Sequence, residues 1–257
     1  MSSPLLTARG LDVAVTGKML VRGLDISLDA GDTLAILGRN GSGKTTLLHT
    51  LAGLRPPAKG SIELCGKPYA AQGPRAAARL RGLLAQTQTD AFPASVLETA
   101  LIGRHPHLGR WAWEGAADER IARDALAAVG LHGLEEREVH TLSGGERQRL
   151  GIATLLTQQP SLYLLDEPLA HLDLAHQVAM LALTQRYAAE CRSAFVIVMH
   201  DMNLALRYCR RALLLFGDGR WMEGTCSEVF SAENLSELYG HRLREICDGD
   251  SRYFIAA

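Results

Sequence analysis

The sequence predicts an α/β fold built around a mostly parallel β-sheet, because short apolar runs alternate with amphipathic segments. The runs are bounded by polar or turn residues, as expected of strands buried on both faces of such a sheet. The segments between them place apolar residues at helical spacing, which favours a repeating strand–helix order. The four runs span residues 34–37, 162–165, 195–199 and 213–216.

Length, charge and cysteine content limit the possible functions. The 257 residues suit one large α/β domain or two small ones. The formal net charge of −1 argues against a general nucleic-acid binder, which usually carries a basic excess. The five cysteines form no CxxC pair, so we expect reduced thiols in a cytosolic protein rather than a zinc site or a disulfide framework.

Neither a signal peptide nor a membrane-spanning segment is expected. Residues 1–9 lack the apolar core of a signal peptide. No apolar run approaches the roughly 20 residues that a spanning helix needs. If the protein serves a membrane process, we therefore expect another chain to cross the membrane.

Helices are predicted in two places between the apolar runs. The first begins after Gly43 and ends near Gly53, which two prolines follow. Its apolar face comprises Leu47, Leu48, Leu51 and Leu54. Residues 70–81, rich in Ala and Arg, are predicted to form a surface helix. Residues 88–143 show no convincing buried strand, and we interpret them as a helical subdomain inserted into the α/β core.

Residues 38–45 match the phosphate-binding pattern GxxxxGK(S/T), between an apolar run and a helix, as the pattern requires. Glycines allow the backbone N–H groups to point inward, and the helix N-terminus adds a positive dipole. Lys44 is predicted to contact the β- and γ-phosphates, and Thr45 to offer its hydroxyl to Mg²⁺. The pattern predicts a P-loop NTPase core, which kinases, GTPases and many ATPases share. The predicted nucleotide-binding residues here are Gly38, Arg39, Asn40, Gly41, Ser42, Gly43, Lys44, Thr45 and Thr46.

Polar side chains follow two other apolar runs. Asp166 and Glu167 come after residues 162–165, and His200 comes after residues 195–199. Because ligands bind at the carboxyl ends of parallel strands, we predict that Asp166 contacts the metal ion of the nucleotide directly or through water. Glu167 is predicted to accept a proton from the attacking water or to orient it, and His200 to hydrogen-bond the γ-phosphate. The alternative interpretation is a pair of solvated acids and a structural histidine.

A second anion-binding turn lies further along the chain. Ser143, Gly144 and Gly145 open a predicted helix about a hundred residues after the phosphate loop. No lysine accompanies this turn, and no metal-binding partner lies near it in sequence. One domain does not need two cradles for a γ-phosphate, whereas two copies arranged head to tail do.

With these residues in place, the sequence resembles the nucleotide-binding subunits of ABC transporters over essentially its whole length. The motifs of that family occur in the family's order. After the phosphate loop comes a Q-loop glutamine, which is Gln86 or, as the alternative, Gln88. The signature motif, the Walker B segment with Glu167, the D-loop and the switch histidine His200 follow. The three segments are residues 142–146, 162–166 and 170–173.

The resemblance implies an ATPase that uses ATP and Mg²⁺ and works as a dimer of two copies. In that dimer the turn at residues 143–145, called the signature turn below, of one copy completes the site of the other. The implied catalytic residues are Glu167, His200 and Gln86. The implied metal ligands are Thr45, Gln86 and Asp166. The implied nucleotide-binding residues outside the phosphate loop are Ser143, Gly144, Gly145 and Asp173.

The resemblance also implies an architecture and a cellular setting. A P-loop core with a mostly parallel sheet would carry an N-terminal antiparallel β portion and the inserted helical subdomain. As a single domain over residues 1–257, it would divide into a core (1–87 and 155–225), a helical subdomain (about 88–154) and a C-terminal segment (about 226–257). The implied partners are polytopic permease subunits and, indirectly, a soluble substrate-binding protein, but no nucleic acid. The implied location is peripheral, at the cytoplasmic face of the inner (plasma) membrane.

Several runs favour one branch of the family. Residues 102–106, 171–177 and 200–205 are similar to runs in importers for iron chelates, haem and cobalamin. The sequence does not distinguish among these substrates. A soluble ABC ATPase of DNA repair or translation is the rival, but the chain has neither a long coiled-coil insertion nor a second cassette. An exporter subunit is disfavoured by the importer-like runs, and a P-loop kinase by the signature turn and Glu167.

The sequence departs from the family at the adenine contact. The usual aromatic residue is replaced by Val15, and no Tyr, Phe or Trp precedes Tyr69. Trp111 and Trp113 are predicted to lie either in the core or, preferably, at the groove that receives the membrane subunit. The spacing of His105, His107, His171 and His176 does not favour a metal site.

Overall fold

The computed structural model describes residues 3–86, 93–249 and 251–257. The strands are β1 (Leu6–Val15), β2 (Lys18–Leu28), β3 (Thr33–Gly38), β4 (Lys59–Leu64), β5 (Lys67–Pro68), β6 (Arg81–Leu84), β7 (Leu162–Asp166), β8 (Ala194–Val198), β9 (Arg211–Leu215), β10 (Trp221–Thr225), β11 (Leu243–Asp248) and β12 (Ser251–Ala256). The helices are α1 (Lys44–Leu51), α2 (Tyr69–Gln72), α3 (Pro74–Leu80), α4 (Val96–Leu101), α5 (Ala116–Ala128), α6 (Gly144–Gln158), α7 (Leu174–Glu190), α8 (Met202–Tyr208), α9 (Cys226–Val229) and α10 (Ala232–Tyr239).

A six-stranded sheet in the order β10-β9-β3-β8-β7-β6 forms the centre of the fold. β3 pairs in parallel with β8 and β9, and β7 with β6 and β8, whereas β10 runs antiparallel to β9. β3, β7 and β8 are buried along their whole length, which explains their continuous apolar sequences. The predicted α/β fold is therefore confirmed, and the carboxyl ends of three neighbouring strands meet at one edge.

A four-stranded antiparallel sheet in the order β2-β1-β4-β5 forms the N-terminal part, as the family resemblance implied. One apolar cluster joins this sheet, α1 and one face of the central sheet. The prediction for Leu54 is wrong, because α1 ends at Leu51 and Leu54 is 57% exposed. Gly53 turns the chain there with a φ of +69°, and a Cβ at Gly53 would lie 2.7 Å from the ring of Tyr69.

The predicted surface helix at residues 70–81 is corrected in two respects. It is split into α2 and α3, because Gly73 adopts a φ of +75° and Pro74 begins a new helix. Arg81 does not end the helix but starts β6, which pairs with β7 at the edge of the central sheet.

α4, α5 and α6 pack on one another around a second apolar cluster, which continues beneath the central sheet. Capping boxes begin α4 at Ser95 and α6 at Ser143. α6 runs unbroken to Gln158, so the division expected near residue 154 falls inside this helix.

α9, α10 and the β11–β12 hairpin form the C-terminal region, defined here as residues 226–257. Leu235 and Leu238 of α10 are buried. The ring of Phe254 on β12 lies edge-on to that of Phe230, with 6.4 Å between their centroids. Throughout the described residues, no helix combines the length and apolarity needed to cross a membrane.

Candidate nucleotide site

The phosphate loop connects β3 to α1, and its shape depends on glycine. Gly43 has a φ of +103°, and a Cβ there would lie 2.9 Å from the Cβ of Leu20. The backbone of the loop also holds the ammonium group of Lys44 in place. Lys44 Nζ donates hydrogen bonds to the carbonyl oxygens of Gly38 (2.9 Å) and Arg39 (3.2 Å). Burial lowers the pKa of Lys44, and the nearby carboxylates of Glu167 and Asp166 oppose that shift.

Thr45 and Asp166 meet beside this loop, from α1 and from the end of β7. Thr45 Oγ1 donates a hydrogen bond of 3.1 Å to Asp166 Oδ1. Asp166 is fully buried, and burial raises the pKa of its carboxyl above the usual value. The other oxygen, Oδ2, has no hydrogen-bond partner within the described part of the chain. A buried carboxylate oxygen without a partner, next to a hydroxyl, fits a hard cation such as Mg²⁺.

Glu167 lies between the other two predicted catalytic residues. Gln86 Nε2 donates a hydrogen bond of 3.1 Å to Glu167 Oε2, and His200 Nε2 lies 2.8 Å from Oε1. Glu167 adopts a φ of +51°, a conformation that costs free energy for a non-glycine residue and concentrates at functional sites. Gln86, Glu167 and His200, which are far apart in sequence, are thus brought together. The alternative Q-loop residue, Gln88, lies outside the described residues.

A cavity of about 470 Å³ opens over the phosphate loop. Of the residues described above, Gly43, Lys44, Thr45, Gln86 and Glu167 line it, together with Asn40, Gly41 and Thr46. Asp166 and His200 are not among its lining residues. Val15 and Leu20 provide an apolar wall at the place where the aromatic residue of the family is missing. Sequence reasoning missed the contributions of Thr16, Lys18 and Leu20. The one available signal for Lys18 was that the chain contains only four lysines.

The signature turn and the D-loop residue are not brought to this cavity. Ser143, Gly144, Gly145 and Asp173 are absent from the described residues that line it. Ser143 caps α6, where its Oγ accepts a hydrogen bond of 3.2 Å from the backbone N–H of Glu146. A Cβ at Gly145 would lie 3.1 Å from the carbonyl oxygen of His171. The signature turn therefore abuts the D-loop of the same chain rather than its phosphate loop.

The tryptophans and histidines singled out from the sequence lie elsewhere. Trp111 and Trp113 are 87% and 89% exposed, so neither belongs to the core. His107 Nε2 lies 2.8 Å from the carbonyl oxygen of Gln158. Within the described ranges, His, Cys, Asp and Glu form no group of three or more that could hold a metal ion.

A phosphate loop between a buried parallel strand and a helix, with an acidic residue at the end of a neighbouring strand, defines a P-loop nucleotide-binding protein. The sequence profile of the ABC transporter family matches residues 21–170. The chain belongs to this family, and it is one of the family's ATP-binding ATPase subunits.

Similar proteins agree with this assignment. The Hemin import ATP-binding protein HmuV of Gloeobacter violaceus is 43% identical, over 84% of this chain and 80% of its own. The protein of the same name from Burkholderia pseudomallei is 39% identical, over 96% of this chain and 97% of its own. A solved metal-chelate type ABC transporter in an inward-facing conformation matches with a TM-score of 0.86. Its identity is 30%, and 99% of this chain and 98% of that chain are covered.

Proposed function

We propose that this chain drives an ABC importer for an iron chelate, haem or cobalamin, as a dimer that binds and hydrolyses two ATP molecules. The carrying observation is that one chain holds two anion-binding turns which do not share a cavity. The importer-like runs at residues 102–106 and 171–177 support the substrate class. Among these substrates haem is favoured, since the relatives reported above are named for hemin import.

Within one chain, the residues around the cavity divide the work on ATP. When ATP binds, Lys44 exchanges its two carbonyl contacts for contacts to the β- and γ-phosphates, whose negative charge it stabilises. Thr45, Gln86 and Asp166 would hold Mg²⁺, which supplies positive charge beside those phosphates. Glu167 accepts the proton of the attacking water, and Gln86 and His200 fix the direction of its carboxylate.

The second copy supplies the missing side of each site. Ser143 to Gly145 stand at the N-terminus of the 15-residue helix α6, whose backbone N–H groups and dipole favour an anion. In a head-to-tail dimer this turn faces the γ-phosphate bound to the partner copy, and Asp173 lies close to the same boundary. ATP then favours closure because it binds the closed dimer better than the open one, whereas ADP lacks the shared phosphate.

A disulfide crosslink tests the shared site. Asn40 lies on the exposed part of the phosphate loop, so Asn40→Cys and Ser143→Cys are placed in one chain, with exposed Cys191 and Cys247 replaced by serine. ATP is expected to raise the fraction of crosslinked dimer about tenfold over ADP, because only ATP binds the two states differently. Non-reducing gels measure the fraction.

The control for the crosslink replaces Ser143→Cys with Glu119→Cys, a position on α5 away from the turn. It should give little dimer with either nucleotide. Crosslinks that form within one chain, or equally well with ADP, would contradict the shared site.

We further propose that the chain docks on a permease at the cytoplasmic face of the inner membrane, through the loop that carries Trp111 and Trp113. Exposed tryptophans are costly on a free surface and are enriched in protein interfaces. The loop follows α4 of the helical subdomain, which we place at about residues 88–158 so that α6 stays whole. This subdomain passes the movement of the dimer to the membrane subunit.

The double variant Trp111→Ala and Trp113→Ala is expected to reduce co-purification with the co-expressed permease by at least about tenfold, since buried interface tryptophans are frequent hot spots. The measurement is the amount of this chain retained on tagged permease. Leu54→Ala is the matched control, because Leu54 is an exposed apolar residue outside the helical subdomain. Equal retention of the double variant and wild type would exclude the loop as the docking surface.

A further inference from the structure

The C-terminal region contacts both loops that flank the proposed ATP site, at His200 and at Arg39. We propose that Tyr239 and Asn203 are positioning residues, which hold His200 where it can contact the γ-phosphate. The inference rests on the proposed role of His200. The position of the His200 side chain then depends on the C-terminal region as well as on the nucleotide-binding core.

Tyr239 contacts the switch-histidine segment directly. Its hydroxyl donates a hydrogen bond of 3.3 Å to the carbonyl oxygen of His200. Leu235 and Leu238, on the same helix, are buried and fix α10 on the core. Burial raises the pKa of Tyr239 to about 12, with a smaller contribution from Asp201, so the phenol keeps its proton and stays a donor at neutral pH.

Asn203 fixes the same segment from the other side. Its Nδ2 donates to the carbonyl oxygen of Phe254 (3.1 Å), and its Oδ1 accepts from the N–H of Phe254 (2.8 Å). The amide thus ties the first turn of α8, just after His200, to β12. Phe254 is itself buried and packs edge-on against Phe230, so the attachment point is rigid.

These backbone contacts matter because the His200 side chain has little else to hold it. Its side chain is 50% exposed, and its one polar contact within the described residues is with Glu167. A catalytic geometry held only by an exposed side chain would lose its orientation readily. The position of His200 is therefore defined through its backbone. Tyr239 of α10 holds the carbonyl group of His200, just before α8, and Asn203 holds the first turn of α8.

The end of α10 also reaches the phosphate loop. Gly240 ends the helix with a φ of +65°, and a Cβ there would lie 3.0 Å from Arg39 Nη1. A guanidinium at the C-terminal end of a helix is electrostatically favourable. The same helix end thus lies against the phosphate loop and the His200 segment, so it sets the spacing between the groups at either side of the γ-phosphate.

Tyr239→Phe in the full-length protein tests this inference, because it removes the donor and keeps the ring. Loss of one hydrogen bond of this kind is expected to lower kcat about threefold to tenfold, with KM for ATP changed by less than about twofold. Asn203→Ala should act in the same direction. The control is Tyr253→Phe, on an exposed part of β12, which should behave like wild type. Unchanged thermal melting excludes a general loss of folding.

The double variant Tyr239→Phe, His200→Ala separates positioning from a structural role. Measured in single turnovers with protein in excess, Tyr239→Phe should cost nothing further once His200 is gone, since coupled residues are not additive. Wild-type kcat in Tyr239→Phe, or an equal loss with and without His200, overturns the inference. Wild-type turnover in His200→Ala would instead overturn the proposed role of His200 itself.

Discussion

Glu167→Gln is expected to slow ATP hydrolysis by about two to four orders of magnitude, the usual contribution of a general base, while ATP binding persists. Glutamine keeps the shape of the side chain and the acceptor that faces Gln86, but it cannot take a proton from water. Glutamate and glutamine at position 167 are strained equally by the left-handed backbone at φ +51°, so backbone strain does not account for a difference in rate between wild type and variant. The measurements are phosphate release and equilibrium binding of ATP.

The control for this substitution is Glu119→Gln. Glu119 forms an ion pair of 2.7 Å with Arg123 on the surface of α5. Glu119→Gln therefore removes one negative charge, as Glu167→Gln does, but it leaves the cavity unchanged. It should retain wild-type turnover. Hydrolysis at the wild-type rate in Glu167→Gln would show that another group takes the proton.

Lys44→Ala is expected to weaken ATP binding by about two orders of magnitude, which is the scale of losing charge-assisted hydrogen bonds to phosphate. Lys44 is 6% exposed and stands over the loop at the base of the cavity. Lys18, the other lysine that lines the cavity, lies at the start of β2 rather than on the phosphate loop. Titration with ATP, and the residual rate of hydrolysis, measure the effect.

A lysine far from the cavity provides the comparison. Lys67→Ala on β5 removes the same charge from an exposed position and should bind ATP normally. If Lys44→Ala binds and hydrolyses ATP as the wild type does, the phosphate loop is not the nucleotide site.

The central sheet and the phosphate loop could be predicted because their signals are local. Burial on both faces leaves continuous apolar runs, such as residues 162–165, and the loop requires glycine and lysine at fixed spacing. The split at Gly73 and the exposure of Leu54 were missed, because glycine and proline interrupt helical periodicity at positions that periodicity alone does not resolve.

The strand-end contacts of Glu167 and His200 followed from the parallel sheet, but two other contacts between distant segments could not be predicted from the sequence. Lys18 reaches the cavity only because β1 and β2 pair with a register that brings their turn to the phosphate loop. Tyr239 meets His200 across 39 positions through the packing of α10. Such contacts depend on tertiary packing, which residue patterns within one segment do not encode.

The unbroken course of α6 makes it a lever. With 15 residues it is about 22 Å long at 1.5 Å per residue. One end carries the signature turn, and the other end contacts residues 104–107. Arg104 Nη1 donates a hydrogen bond of 3.1 Å to the carbonyl oxygen of Thr157, and His107 Nε2 lies 2.8 Å from the carbonyl oxygen of Gln158. In the proposed docking arrangement, α6 would carry movement of the signature turn to the loop that contains Trp111 and Trp113, and we expect a flexible hinge inserted midway along α6 to leave hydrolysis running while transport is lost.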